Sequence, residues 1–228
     1  MLKCQFHVHT SGDPVDHIPY SPQDLIKRAQ QLNYDVIAIT CHNKVVFTKA
    51  LQNYAREHNL ILISGIELEI DKKHILVINI DPDIEDVKTF KQLRAYKVAH
   101  PDCLIIAPHP FFPGKNCLKE KLIDNIDIFD AIENSFCYTT TKNYNKKALT
   151  IAKNHNKPIV ATSDSHFLKN LDLGYTMVDS KKDIHSIIKA VKQNKITIVH
   201  SPVGYLKIFK TILVGGLSTL LFKKIFKA

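Results

Sequence analysis

Two histidines, His7 and His9, stand two residues apart in an apolar run, so on an extended strand both imidazoles point to the same side. The same spacing returns late in the chain as Asp164 and His166. Between them, His42, Glu67 and His109 each close another short apolar run, in Ile39-Thr40-Cys41-His42, Ser64-Gly65-Ile66-Glu67 and Ala107-Pro108-His109. Imidazole suits zinc, manganese or iron, and a carboxylate can bridge two such ions. A lone His-x-His pair has an ordinary structural explanation. A whole set of such residues at the ends of apolar runs points instead to a metal centre and to metal-assisted hydrolysis.

Such residues need a scaffold whose strand ends converge. Apolar runs over Lys3–His9, Asp35–Thr40, Leu60–Glu67, His74–Ile80, Cys103–Pro108, Ile128–Glu133 and Ile159–Ser163 read as strands. Tyr175–Asp179 and Ile196–His200 read as shorter extended pieces. Helical periodicity fills the intervals over Ser21–Leu32, Phe47–Glu57, Asp86–Ala99, Thr141–Asn154 and Asp183–Gln193. Ser21 with Asp24 three residues later is a capping-box start. The alternation predicts an α/β protein with a mainly parallel sheet of about seven strands, closed into a barrel with its site at the C-terminal rim. No glycine-rich phosphate loop interrupts it, which argues against a dinucleotide fold.

The 228 residues suffice for one barrel-sized core, and 45% hydrophobic with 23% charged residues is ordinary globular composition. The net charge of +9 comes mostly from lysine, with only Arg28, Arg56 and Arg94 as arginines. Lysine reads bases and phosphates poorly in bidentate fashion, so the excess suits a solvated surface or attraction of an anionic substrate or membrane. Five cysteines without Cys-x-x-Cys spacing argue against a disulfide framework or zinc finger. They fit a reducing cytoplasm, and the start of the chain reads as a strand rather than a signal peptide.

As an ordered set, these motifs resemble the polymerase and histidinol phosphatase (PHP) family. The matching residues are His7-Val8-His9, Thr40-Cys41-His42, Gly65-Ile66-Glu67, then His74 and His109, and Asp164-Ser165-His166, covering about residues 1 to 200. The resemblance implies a distorted seven-stranded (β/α) barrel, TIM-like, with two or three divalent ions (zinc, manganese or iron) at the C-terminal rim. It also implies phosphoester hydrolysis by hydroxide generated at those ions. His7, His9, His42, Glu67, His74, His109, Asp164 and His166 carry over as ligands, with His9, Glu67 and Asp164 nearest the chemistry.

The family's acid ligand after His-x-His falls on Asp13, which joins the metal set, with Asp16 and His17 as rivals. Glu133 and Asn134 match a further polar position, Glu133 as ligand or as support behind one. One departure stands out: Cys41 replaces the family's Asp, either as filler or as a metal thiolate. Lys44 and Lys115 are candidates to hold substrate phosphate, or are exposed loop lysines. The expected substrate is a small phosphate ester or a nucleotide. A nuclease-type phosphodiesterase is the alternative within the family. A regulatory metal-binding module is the alternative outside it. C–N hydrolysis by an amidohydrolase-like barrel lacks its bridging lysine among the strand-end motifs.

Residues 1–204 thus form the expected barrel, and 205–228 differ. Thr211 to Phe222 carries no charge and is flanked by Lys207, Lys210, Lys223, Lys224 and Lys227. Twelve uncharged residues are too few to span a bilayer. The segment suits an amphipathic helix at a membrane interface, which would make a cytoplasmic protein peripheral at the inner membrane face, or a helix docked on the barrel or a second subunit.

Overall fold

The computed structural model describes residues 1–204, and the tail of residues 205–228 lies outside the described residues. The chain runs through β1 (Leu2–Gln5), α1 (Pro22–Gln31), β2 (Val36–Ile39), α2 (Lys49–Glu57), β3 (Ile61–Ile70), β4 (Lys73–Ile78), α3 (Phe90–Ala99) and β5 (Leu104–Ala107). It continues through α4 (Glu120–Asp124), β6 (Ala131–Ser135), α5 (Asn145–Asn154), β7 (Ile159–Thr162), β8 (Gly174–Val178), α6 (Ile184–Lys192) and β9 (Ile196–His200).

Among the described residues, nine strands form one sheet in the order β7-β6-β5-β4-β3-β2-β1-β8-β9. Strands β1, β2 and β3 are mutually parallel, as are β5, β6 and β7. The expectation of a mainly parallel sheet needs correcting at two strands. β4 is antiparallel to both neighbours because the two-residue turn at Asp71 and Lys72, both at positive φ, folds β3 back as a hairpin. β8 is antiparallel to β1 and to β9.

The sheet curls until β7 faces β8, and there a side chain replaces the usual ladder. The Thr176 hydroxyl donates to Ala161 O (2.9 Å) and accepts from Ala161 N (3.0 Å). The close approach requires Gly174: a Cβ there would stand 2.7 Å from Thr162 O. At the other end of the seam, Val8 and Ser165 form a single parallel bridge, with His9 N donating to Ser165 O (3.1 Å). Gln5 ties both parts together. Its Nε2 donates to Leu171 O (3.1 Å) and Gly174 O (2.9 Å), and its Oε1 accepts from Ser163 N (3.2 Å). The result is a nearly closed, distorted barrel.

The strands β2, β5 and β7 read as almost unbroken apolar runs because both faces are covered. Leu76, Ile78, Leu104, Ile106, Ala131 and Val160 pack with Cys4, Phe6 and Val36. Ile66, Leu68, Val77, Ile105 and Ile132 face α3 and α5 through Leu93, Ala148 and Ala152. The expected Ser21 N-cap is present as a reciprocal capping box with Asp24, a feature that contributes about 1 kcal/mol. The helices expected to start at Phe47, Asp86 and Thr141 start later, at Lys49, Phe90 and Asn145. Thr48 and Thr89 are their N-caps in the first two cases, accepting from Leu51 N and Gln92 N.

Candidate metal centre

Seven elements deliver side chains to one end of the barrel. β1 ends at Gln5, short of the expected His9, but the chain stays extended and is held between two neighbours. Val8 N donates to Thr40 Oγ1 (3.1 Å), and Thr40 N donates to Val8 O (2.9 Å). The two-residue strand period then turns His7 and His9 inward, and both are fully buried. His42 sits just past β2 and bridges to Glu67 on β3. Gly65 permits this: a Cβ there would meet Ile39 O at 2.9 Å. β4 is antiparallel, so its first turn, not its end, reaches the same rim. That is why His74 belongs to the cluster. Its register partner is Glu69, which makes Glu67 a diagonal neighbour within reach.

His109 follows β5, and Asp164 and His166 follow β7. His109 (φ 28°) and Asp164 (φ 40°) both adopt left-handed backbone. Non-glycine residues held there cost about 1–3 kcal/mol each and gather at functional sites.

Four ligand atoms define the centre. His7 Nε2 lies 3.3 Å from His9 Nε2, 3.3 Å from Glu67 Oε2 and 3.3 Å from Asp164 Oδ1. His9 Nε2 lies 3.3 Å from the same Glu67 and Asp164 oxygens. Five of the six separations are therefore equal. The other carboxylate oxygen of Glu67 serves a second group: Oε1 lies 2.8 Å from His74 Nδ1 and 3.3 Å from His109 Nε2. His42 Nε2 approaches Glu67 Oε2 at 3.2 Å. Glu67 thus turns one oxygen toward each group of side chains. The donor set of imidazoles and carboxylates, with no lysine among them, fits divalent cations.

A second layer orients these ligands. Glu133 is fully buried: Oε1 accepts from His7 Nδ1 (2.8 Å) and from the Thr162 hydroxyl, and Oε2 accepts from His109 N (2.6 Å). Its place is behind the cluster rather than in it. Asp13 lies against the Nδ1 atoms of His9 (2.8 Å) and His42 (3.0 Å) and accepts from His42 N (2.9 Å). The rival acid, Asp16, pairs with His166 Nε2 (2.9 Å) at the open mouth, whereas His17 is exposed. Asn134 is buried, with its Nδ2 lacking a hydrogen-bond partner. Cys117 Sγ lies 3.4 Å from His109 Nδ1, and Asn116 Nδ2 3.1 Å from His74 Nε2. Nothing in the sequence pattern singled out these two.

Cys41 packs with Val8, Ile18, Tyr20 and Leu25, and its thiol faces Thr10. Burial pushes its pKa up, which suits filler rather than a thiolate ligand. Lys44 and Lys115 are exposed on loops.

The electrostatics are those of ligands facing one another. Burial pushes the His7 pKa down, but Asp164, Glu67 and Glu133 outweigh it and raise it to about 10. His9 is raised as well. Burial pushes Glu67 and Asp164 up, but the surrounding histidines hold both carboxyls well below the usual range.

Residues 142–196 match the PHP-associated family model (PHP_C), a span that contains β7, the Asp164-Ser165-His166 motif and α6. In that span the chain is similar to the PHP-associated family. An uncharacterized protein of Methanocaldococcus jannaschii is 26% identical over 145 residues, 57% of this chain and 82% of that protein. A two-domain protein of Bacteroides vulgatus contains a predicted PHP-like metal-dependent phosphoesterase. It superposes with a TM-score of 0.69 at 18% identity, covering 94% of this chain and 69% of that one. The lesion-specific endonuclease EndoQ of Pyrococcus furiosus superposes with a TM-score of 0.62 at 16% identity, covering 86% of this chain and 57% of that one. At these identities the structures share the fold. Among the described residues, no helix is long and apolar enough to cross a membrane.

Proposed function

We propose that this PHP barrel hydrolyses phosphate esters at a centre of two or three divalent cations. His7, His9, Glu67 and Asp164 would hold one, Glu67, His74 and His109 a second, and His42 and His166 would complete the set. The observation that carries this reading is the approach of His7 Nε2 and His9 Nε2 to Glu67 Oε2 and Asp164 Oδ1, each at 3.3 Å, with Glu67 turning its other oxygen to His74. Bound there, divalent cations would supply a Lewis acid for the phosphoryl oxygens and lower the pKa of water to about 7.

The chain's own residues do the rest. Glu67 fixes the separation of the two groups. Glu133 holds His7 with Nε2 inward, and Asp13 does the same for His9 and His42. Asp16 pairs with His166 Nε2 (2.9 Å) and holds that ring with Nδ1 toward Asp164 (3.6 Å). Lys44 and Lys115, on exposed loops, would meet substrate phosphate. The substrate is a small phosphate ester or a nucleotide, and zinc, manganese or iron would suit the donor set.

Phosphate release from monoesters, diesters and nucleotides tests the reading. The protein would be stripped of metal and reloaded with zinc, manganese or iron, beside Asp164→Asn. Metal-dependent release that the variant lacks supports it. Release by both proteins alike would end the assignment to this site. Activity confined to diesters or DNA would move it to a nuclease, the activity by which EndoQ is named.

A further inference from the structure

The loop after β5 turns back on the strand end it leaves. His109, at φ 28°, opens it, and Lys119, at φ 54°, closes it where Lys119 N donates to Pro110 O (2.9 Å). Between them the chain reaches the start of β4. His74 N donates to Asn116 O (2.8 Å), and Lys73 Nζ donates to Lys115 O (2.6 Å). Cys117 N then donates to Gly114 O (3.4 Å), in a turn that leaves Cys117 buried. Gly114 has no space for a side chain: a Cβ there would stand 2.5 Å from Asn116 Oδ1 and 3.3 Å from Cys117 Sγ. The backbone therefore sets two adjacent side chains against the two histidines that approach Glu67 Oε1.

His109 gives Nε2 to Glu67 Oε1 (3.3 Å) and Nδ1 to Cys117 Sγ (3.4 Å). His74 gives Nδ1 to Glu67 Oε1 (2.8 Å), and Asn116 Nδ2 lies beside the same ring, 3.1 Å from Nε2. A neutral imidazole that binds a cation through one nitrogen carries its proton on the other, and that N–H needs an acceptor. In the first group the acceptors are carboxylates, Glu133 for His7 Nδ1 (2.8 Å) and Asp13 for His9 Nδ1 (2.8 Å). In the second group the atom at His109 Nδ1 is a thiol sulfur, a weak acceptor. Hydrogen bonds to a charged acceptor are about twice as strong as neutral ones, and a carboxylate behind a ligand histidine raises its basicity. Cys117 stands behind the cluster: among the described residues, no grouping of three or more potential ligand atoms includes its sulfur.

We infer that Cys117 is a positioning residue for His109, with Asn116 beside it for His74, and that this uncharged support makes the cation of the second group the one held more weakly and exchanged first. The order of exchange rests on the two-group metal centre proposed above, and the reaction at that centre does not enter it.

Zinc loaded on the full chain and withdrawn by a chelator reads the order of release. Wild type should give two steps separated by about tenfold or more. Glu133→Gln should weaken the tighter step and spare the other. Cys117→Ala should weaken the looser step by about 10- to 100-fold and leave the tighter one in place. Cys117→Ser restores an acceptor and should recover most of that loss. A side chain that only filled space would not behave so, because a buried hydroxyl packs no better than the methyl group of alanine. Recovery by serine therefore separates positioning from packing. Gly114→Ala keeps both side chains but displaces them, and it should reproduce the loss at the looser step even where Cys117→Ala fails to fold. Melting of the metal-free proteins checks that each barrel stands.

A single step in wild type, unchanged steps in Cys117→Ala, or equal losses with serine and alanine would each overturn the assignment. None of these readouts uses turnover. Two graded steps with serine recovery, in a protein that releases no phosphate, would sink the hydrolase reading and leave the positioning role standing. Two steps untouched by Cys117→Ala, in a protein that does release phosphate, would do the reverse.

Discussion

His7 turns Nδ1 to the Glu133 carboxylate at 2.8 Å, and both side chains are wholly buried. That contact fixes which imidazole nitrogen faces the cluster. With Nδ1 engaged, Nε2 is the atom left 3.3 Å from Glu67 and Asp164. The same carboxylate takes the backbone N–H of His109 at the start of the strained turn after β5. Glu133→Gln keeps the size but puts an amide where acceptors are needed on both sides. Metal affinity should fall by about 10- to 100-fold, as for other groups that orient a ligand histidine. Competition with a chelator measures it, and an unchanged affinity would show that His7 needs no such support.

The titration of the metal-free protein is set by the same contacts. His7 is raised to about 10 from its ordinary 6.5. A raised histidine contributes stability that is fully present below its unfolded value and lost as pH rises through the folded one. Glu67 and Asp164 are lowered from 4.5 and 3.8, so their contribution is present above those values and lost as pH falls. Chelator-treated protein should therefore melt highest between about pH 5 and 6.5 and lose stability toward pH 10. A melting temperature that climbs from about pH 6.5 to 9.5 would contradict the charge arrangement.

Metal loading should have the opposite dependence. Ligand histidines must be neutral to bind, so uptake at about pH 7 releases protons and weakens as pH falls. An indicator dye in weakly buffered solution reads that release. Loading without any proton release would mean that the raised histidines are not the ligands.

The seam between β7 and β8 leaves no room at Gly174, where a Cβ would stand 2.7 Å from Thr162 O. Gly174→Ala should cost about 1–3 kcal/mol by overpacking. It should also loosen Asp164, two residues past Thr162. Thermal melting and metal content check the two effects. A variant as stable as wild type would show that the seam is softer than its contacts imply.

Cys41 fills apolar space against Val8 and Tyr20 instead of reaching the ligands. Cys41→Ala should leave metal content unchanged and lower stability by about 1 kcal/mol for the lost packing. A drop in bound metal would restore the thiolate alternative.

Much of this was legible before the structure. The apolar runs ending in His or Glu marked β1, β2, β3, β5 and β7, and the two-residue spacing of His7 with His9 carried directly into a shared direction. The capping box at Ser21 and Asp24 set α1 correctly. Other features depended on partners far apart in sequence. The reversal of β4 makes its first turn, and so His74, part of the rim, and strand direction is not written in local periodicity. α4 is a five-residue helix, too short for a periodic signal. Asp13 and Asp16 divide between different histidines because the loop from Ser11 to Tyr20 folds over the mouth, which spacing alone does not fix. Cys117 and Asn116 meet ring nitrogens only because the loop after β5 returns to the cluster.

The proposed function turns on one carboxylate, Glu67, joining two metal groups. The most direct measurement is metal content after loading and desalting, for wild type and Glu67→Gln, with phosphate release followed on the same samples. At least two ions are expected in the wild type, with more than one lost in the variant and hydrolysis lost with them. A variant that loses a single ion and still hydrolyses phosphate esters would contradict the bridging role.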